Sequence, residues 1–209
     1  MQLHKRDVVD AAIAILDRYG IADLTMRRLA RELDVSPGAL YWHVANKQEL
    51  LGAVADRILE PLLTNAPTAP WRDRIVGDCR RLRDALLSHT DGAELVSASF
   101  AAGQSEAAVA ILVRLSAAAA EAGFDATHAE LAARTVVYYV LGFTADEQSR
   151  LQWDAAGADI PEGQQVWTQD ADSRFRFGLR LLVAGLRSHT IEIDAGIEAG
   201  TAQYEWGPR

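Results

Sequence analysis

Apolar residues recur along this chain at helical spacing, with polar residues filling the positions between them. Val8, Ala12, Ile15 and Tyr19 form a first stripe, which Gly20 closes as a C-cap. Thr25 reads as an N-cap, and Leu29 and Leu33 carry a second stripe to about Asp34. Ser36 caps a third helix with Pro37 at its first position, where a missing N–H costs nothing. That helix must be short, because Asn46 already opens a fourth. Asn46 with Glu49 resembles a capping box. The fourth helix is expected to run to about Pro61, where "NAPTAPW" breaks the chain.

Longer Ala/Leu-rich segments follow: Trp71 to His89, Glu94 to Ala102, Glu106 to Ala122 and Thr127 to about Ser149. Asp91-Gly92, Gly103 and Gly123-Phe124-Asp125 punctuate them. "WDAAGADIPEGQQVWTQD" has no periodicity and reads as a loop, either a lid or a connector. Arg174 to Ser188 returns to helix, with Phe175, Leu179, Leu182 and Leu186 on one face. Beyond Thr190 the pattern is ambiguous, with "TIEID" a weak strand signal. The expectation is an all-α protein divided into a small head, 1–60, and a larger body, 61–209.

Composition narrows the setting. The 209 residues are enough to bury a core without disulfide or metal, and the lone Cys79 sits in a helical pattern. No apolar run reaches the roughly 18 residues of a membrane span, and "MQLHKRDVVDAA" lacks a hydrophobic signal core. A soluble, cytoplasmic protein is expected, with no membrane role. The net charge of −8 argues against general nucleic-acid binding. Its distribution changes that picture. Residues 1–50 hold seven basic and seven acidic residues, so the remainder carries the whole excess.

Two short helices separated by a tight turn, after a longer first helix, form a helix-turn-helix pattern. In that arrangement the second short helix enters the major groove of DNA. Gly38 and Ala39 are small enough for close approach to base edges, Leu40 and Val44 can pack inward, and Tyr41 and His43 can reach phosphates. Arg27, Arg28 and Lys47 stand in first turns of helices. A cation there opposes the helix dipole by about 0.3–1 kcal/mol, and a phosphate nearby reverses the sign.

The stretch "LTMRRLARELDVSPGALYWHVANKQELL", about a quarter of the chain, resembles the DNA-binding head of the TetR family of one-component repressors. The run Tyr-Trp-His-Val-x-Asn-Lys is far more specific than a generic helix-turn-helix. The resemblance places Arg27, Ala39, Tyr41, His43 and Lys47 at operator-contacting positions, with Trp42 packed inside the head. Ser36, Pro37 and Gly38 occupy recognition positions but are not the family's usual residue types, so the operator sequence does not carry over.

The resemblance continues through Trp71, "ALLSHTDGAELV" (Ala85 to Val96) and "FRFGLRLLVAGL" (Phe175 to Leu186). It implies a body that binds a small molecule and forms a homodimer through helices 127–149 and 174–188. The family's tetracycline site departs from the pattern here. Val96 stands at the metal-histidine position, Asp78 and Leu82 replace asparagine and phenylalanine, and Leu63 replaces a second histidine. No magnesium-tetracycline binding of the usual kind is therefore expected, and no cofactor. By position, Asp78, Leu82, Val96 and Phe100 are candidate walls of an apolar ligand pocket, with ordinary core or surface roles as the competing reading. A buried Asp78 would favour a basic or hydrogen-bond-donating ligand.

Enzymatic signals are weak. His4, His43, His89, His128 and His189 lie far apart, and no HExxH or phosphate loop is present. Ser88, His89 and Asp91 are adjacent on a helical pattern, so they point apart; they read as a helix end, with His89 in the last turn. The expected function is a repressor that binds a palindromic double-stranded operator as a homodimer and is released by a small-molecule effector. An activator of the same architecture, or an all-α ligand-binding or enzyme domain without a DNA role, is the alternative.

Overall fold

The computed structural model describes residues 3–64, 69–157 and 170–194, with side chains to Ser188 in the last of these stretches. The described residues are all helix and turn. In order they form α1 (Lys5–Tyr19), a single 3-10 turn (Ile21–Asp23), α2 (Met26–Glu32), α3 (Pro37–Leu40) and α4 (Lys47–Leu63). There follow α5 (Trp71–Leu87), α6 (Gly92–Ala101), α7 (Glu106–Glu121), α8 (Ala126–Ala155) and α9 (Ala171–Asp194).

Local chemistry sets the starts. The Thr25 hydroxyl accepts the Arg28 N–H at 3.2 Å, and the Ser36 hydroxyl accepts that of Ala39 at 3.3 Å. Asn46 Oδ1 accepts the Glu49 N–H at 2.8 Å while Glu49 accepts the Ala45 N–H at 2.7 Å, a reciprocal cap displaced by one residue. Between α2 and α3 the chain turns through Asp34 at φ 52, a left-handed conformation that aspartate tolerates better than bulkier residues. The Val35 N–H then closes on the Ala30 carbonyl at 2.9 Å.

The head packs Val8, Ala12, Ile15, Leu16, Leu24, Leu29, Leu40, Val44 and Leu50 into a sealed core. Each such aliphatic side chain contributes about 1.5–3 kcal/mol through burial. Helix α4 belongs to both units: it packs on α1 and also on α5, α6 and α7. Through Val54, Ile58, Leu59 and Leu62 the head core runs without a break into the body core. In the body, α7 and α8 form the most extensive pair, and α9 lies against α5 and α8.

Four expectations need correction. Helix α8 extends to Ala155, past Ser149, and thus takes in the start of the expected loop; residues 158–169 of that loop lie outside the described residues. Helix α9 continues to Asp194, so "TIEID" is helical: continuation of an existing helix outweighs the β-branched residues there. The tail from 195 onward is also outside the described residues. Helix α5 stops at Leu87, which places His89 in the turn beyond it. Tyr19 does not finish the α1 stripe. It is exposed, with the Arg28 guanidinium 3.6 Å from its ring centroid, and Leu16 fills the core instead.

Candidate DNA interface and ligand pocket

On the head, α3 is a single turn whose inward residues are Leu40 and, just beyond it, Val44, both buried. Ser36, Pro37, Gly38, Tyr41 and Lys47 are exposed, Ala39 and His43 half-buried, and Arg27 exposed at the start of α2. The residues expected at the operator therefore all reach the solvent side of the unit. Trp42 does so as well. At 90% exposure it is the most exposed large apolar side chain described, not a core residue. Its expected inward position fails because the helix ends at Leu40, and residues 41–43 follow turn geometry, not a helical period.

Electrostatics separate the basic residues. Arg28 is committed to Asp23 and to the Tyr19 ring, and Lys5 pairs with Glu49 at 2.9 Å. Arg57 pairs with Asp10 at 3.0 Å. Among the described residues Arg27, Arg31 and Lys47 make no ion pair, so their charge is available to a partner. The Ala45 N–H, and then Lys5, hold the Glu49 carboxyl below the usual glutamate range.

Two contacts join head to body besides the shared core. The turn after α5 grips the end of α1. Asp17 lies 3.1 Å from His89 Nδ1 and accepts the Thr90 N–H at 3.2 Å, and Asp91 accepts the Ile21 N–H at 2.9 Å. A Cβ on Gly20 would lie 2.6 Å from Asp91 Oδ2, and its φ of 79 independently favours glycine. On the other side, Asp56 of α4 accepts the Ser105 hydroxyl at 2.7 Å and the Ala107 N–H at 2.9 Å, capping α7 from another helix. Beside it Gly52 lies so close to the Gln104 carbonyl that any Cβ would overlap it.

In the body, Leu59, Leu82, Val96, Phe100, Ala108, Ile111, Val137 and Leu141 line a narrow apolar cleft whose free space is about 10 Å³, room for about one water. Three of the four candidate wall residues, Leu82, Val96 and Phe100, therefore meet there. Asp78 does not line it. Its carboxylate, 2% exposed, receives Arg114 in a two-point fork, both bonds 2.9 Å, and also pairs with Arg81. It is buried but already paired, so the condition under which it would favour a basic or hydrogen-bond-donating ligand is not met.

A second inward ion pair links Arg83 to Glu147, at 2.7 and 2.8 Å, and to Asp172 at 3.3 Å, with Phe175 under the guanidinium. The Glu147 carboxylate holds the Arg83 guanidinium firmly protonated. Gln148 completes the buried polar set. It accepts the Ala93 N–H at 3.0 Å and donates to the Leu86 and His89 carbonyls. Apart from Asp78 with Arg81, three residues on, nothing in local sequence announces these pairs, because their members lie 36 to 89 residues apart.

The outer faces of α8 and α9 keep Leu131, Tyr138, Phe177 and Leu181 exposed. Their spacing of seven and four residues puts each pair on one stripe of its helix. Among the described residues no single helix is long and apolar enough to cross a membrane.

Comparison with known proteins agrees with this architecture. The profile of bacterial regulatory proteins of the tetR family matches residues 8–54, and that of the tetracyclin repressor-like C-terminal domain matches residues 63–166. The class E tetracycline repressor protein of Escherichia coli is 32% identical over 197 residues, covering 89% of this chain and 92% of its own. The crystal structure of Mycobacterium smegmatis BioQ superposes with a TM-score of 0.83 at 64% identity, covering 90% of this chain and 99% of that one. A crystal structure of BioQ with its natural double-stranded DNA operator gives a TM-score of 0.78 at 61% identity, covering 90% and 100%. Head and body are matched together, and the chain belongs to the TetR family of bacterial regulatory proteins.

Proposed function

We propose that this regulator is a homodimeric repressor whose head, 1–60, reads a palindromic operator and whose body, 61–209, holds a small-molecule effector that releases it. The observation that carries the reading is the head surface. Ser36 to Ala39, Tyr41, His43 and Lys47 all reach the solvent side, with Arg27 and Lys47 unpaired, while Leu40 and Val44 anchor the turn from behind. The BioQ complex with its operator supports double-stranded DNA as the partner.

Tyr41, His43, Arg27 and Lys47 are suited to phosphate contacts, and Ser36, Pro37, Gly38 and Ala39 to approach along the groove. Two heads about one helical turn apart read successive major grooves. The exposed stripes on α8 and α9 are the surface through which two subunits pair. The protein acts in the cytoplasm, where its DNA is, and performs no chemistry of its own.

Fluorescence anisotropy on DNA from upstream of the protein's own gene tests this, with a salt series and competitor DNA. Nanomolar, competitor-resistant binding that the Tyr41→Ala, His43→Ala double variant loses supports it. Absence of binding at low salt, to that DNA or to a random-site pool, overturns it.

The effector is not a magnesium chelate of tetracycline bound in the usual way. Val96, buried in the cleft wall, and Leu63 carry no donor atom where metal and drug would need imidazoles. Isothermal titration showing tight, magnesium-dependent tetracycline binding would falsify that statement.

A further inference from the structure

Residues 1–50 hold seven basic side chains, and the structure sorts them. Lys5 pairs with Glu49, Arg6 with Asp10 and Arg28 with Asp23. Arg18 lies over the Tyr19 ring at the end of α1. Arg27, Arg31 and Lys47 have no ion pair among the described residues. The function proposed above uses Arg27 and Lys47 and gives Arg31 no role.

Helix α2 separates its charges by flank. Leu29 and Ala30 turn into the core. At about 3.6 residues per turn, Arg27 and Arg31 fall on one flank, and Arg28 and Glu32 on the other. The flank of Arg28 is turned to Asp23 and the Tyr19 ring. The flank of Arg27 and Arg31 carries cations alone, and both side chains are exposed. Glu32 and Asp34, the acids nearest Arg31 along the chain, make no pair with it.

Like charges four residues apart on a helix repel, so this flank is unfavourable in the protein alone. A cation in the last turn of α2 complements the helix dipole, which accounts for Arg31 by itself but not for its place one turn from Arg27. A row of phosphates removes the repulsion, because each cation then has its own anion. The charge of the whole chain sharpens the need. Residues 1–50 are neutral and the rest carries the excess of −8, so the head must draw a polyanion with few free cations.

Resting on the reading of the head as an operator-binding unit, we propose that Arg31 is a further DNA contact. With Arg27 it forms a two-cation track along one flank of α2, and the two take neighbouring phosphates of one strand. Arg31 positions the head on the backbone and reads no base, so its contribution is the same on any sequence.

The test is anisotropy on the full-length protein with two duplexes of equal length, across a salt series. One duplex comes from upstream of the protein's own gene and the other has random sequence. Arg31→Gln is expected to weaken both alike, by about ten-fold at low salt, and to reduce the slope of log affinity against log salt by about one per head. Arg31→Lys should keep the slope. Arg18→Gln, which removes an exposed cation away from the track, should leave the slope unchanged. The unfolding temperature of each variant checks that it is folded. A role confined to stabilising the end of α2 would lower that temperature and leave the slope intact.

An unchanged slope in Arg31→Gln overturns the proposal. So does an equal fall in Arg18→Gln, because only the net charge of the head is then felt. Weakening on the upstream duplex alone overturns the assignment to phosphate. A parent protein that binds neither duplex refutes the operator reading and this proposal with it. A parent that binds both, with Arg31→Gln its equal, refutes this proposal alone.

Discussion

Head and body handle polar groups in opposite ways. In the head the polar side chains sit outside, as caps, surface pairs and unpaired cations, around an aliphatic core. In the body Asp78, Arg83, Ser99, Thr144 and Gln148 are turned inward, where they bond to one another's helices or to backbone carbonyls. A surface that reads a polyanion needs charge that is free to leave water for phosphate. A ligand pocket needs fixed charge in a place where water competes poorly. The same residue types thus stand free at the surface in one unit and are tied to partners in the interior in the other.

The sharpest way to break this contrast is to delete a charge on each side. Asp78→Ala leaves Arg114 and Arg81 without their shared carboxylate at a part-buried node, and should cost about 2–4 kcal/mol in urea unfolding. The matching deletion on the head, Asp23→Ala, removes an exposed pair and should cost less than about 1 kcal/mol. Equal costs would mean that the node at Asp78 is solvated and that the contrast is only apparent.

Next in size is the seam between the units. Gly52→Ala forces a methyl group into the Gln104 carbonyl, so α4 and the α6–α7 turn must part. A loss of about 1–3 kcal/mol is expected, as for an overpacked core. A change below about 0.5 kcal/mol would show that the seam gives way easily.

Smaller still in stability, though not in function, is Lys47→Ala. It should leave unfolding within about 0.5 kcal/mol of the parent. It should weaken DNA binding alike on all sequences and reduce the slope of log affinity against log salt by about one. An unchanged salt slope would remove Lys47 from the phosphate contacts.

The smallest effect concerns acid. The Glu49 carboxyl is held below its ordinary range by the Ala45 N–H and then by Lys5. A depressed carboxyl contributes stability that is fully present above its unfolded value and is lost as pH falls through the folded one. Glu49→Gln should therefore lower stability slightly at neutral pH and leave it nearly unchanged in strong acid, which flattens the acid side of the stability–pH profile by a small amount. A profile identical to the parent's below pH 5 would show that this carboxyl does not report on folding.

What could be read from the chain follows the range of the interactions involved. Thr25, Ser36 and Asn46 announce helix starts because each cap reaches only three residues ahead. Leu82, Val96 and Phe100 line one cleft, and of the three only Val96 lies within "ALLSHTDGAELV"; the other two flank it on the same two helices, α5 and α6. Trp42 was misplaced because α3 ends at Leu40, too soon for periodicity to say where a side chain points. Neither the burial of Asp78 nor its pairing is legible, since the position fits wall, core or surface and Arg114 stands 36 residues away on another helix. The continuation of α9 past Thr190 was missed for a related reason: local propensity speaks for strand there, and the preceding helix decides otherwise.

The division of α4 between two units bears on how such a head can be exchanged. A graft cut before Lys47 would leave α4 with the body and preserve its seam with Gln104 and Ser105. It would still carry away Asp17, Gly20 and Ile21, which the His89–Asp91 turn holds from the body side. A borrowed head that lacks an acid at the first of these positions, or a glycine at the second, would hang from α4 alone. The transferable unit is thus a set of matched surfaces, and a chimera that keeps operator recognition but loses its response to effector would be the mark of a mismatch at this turn.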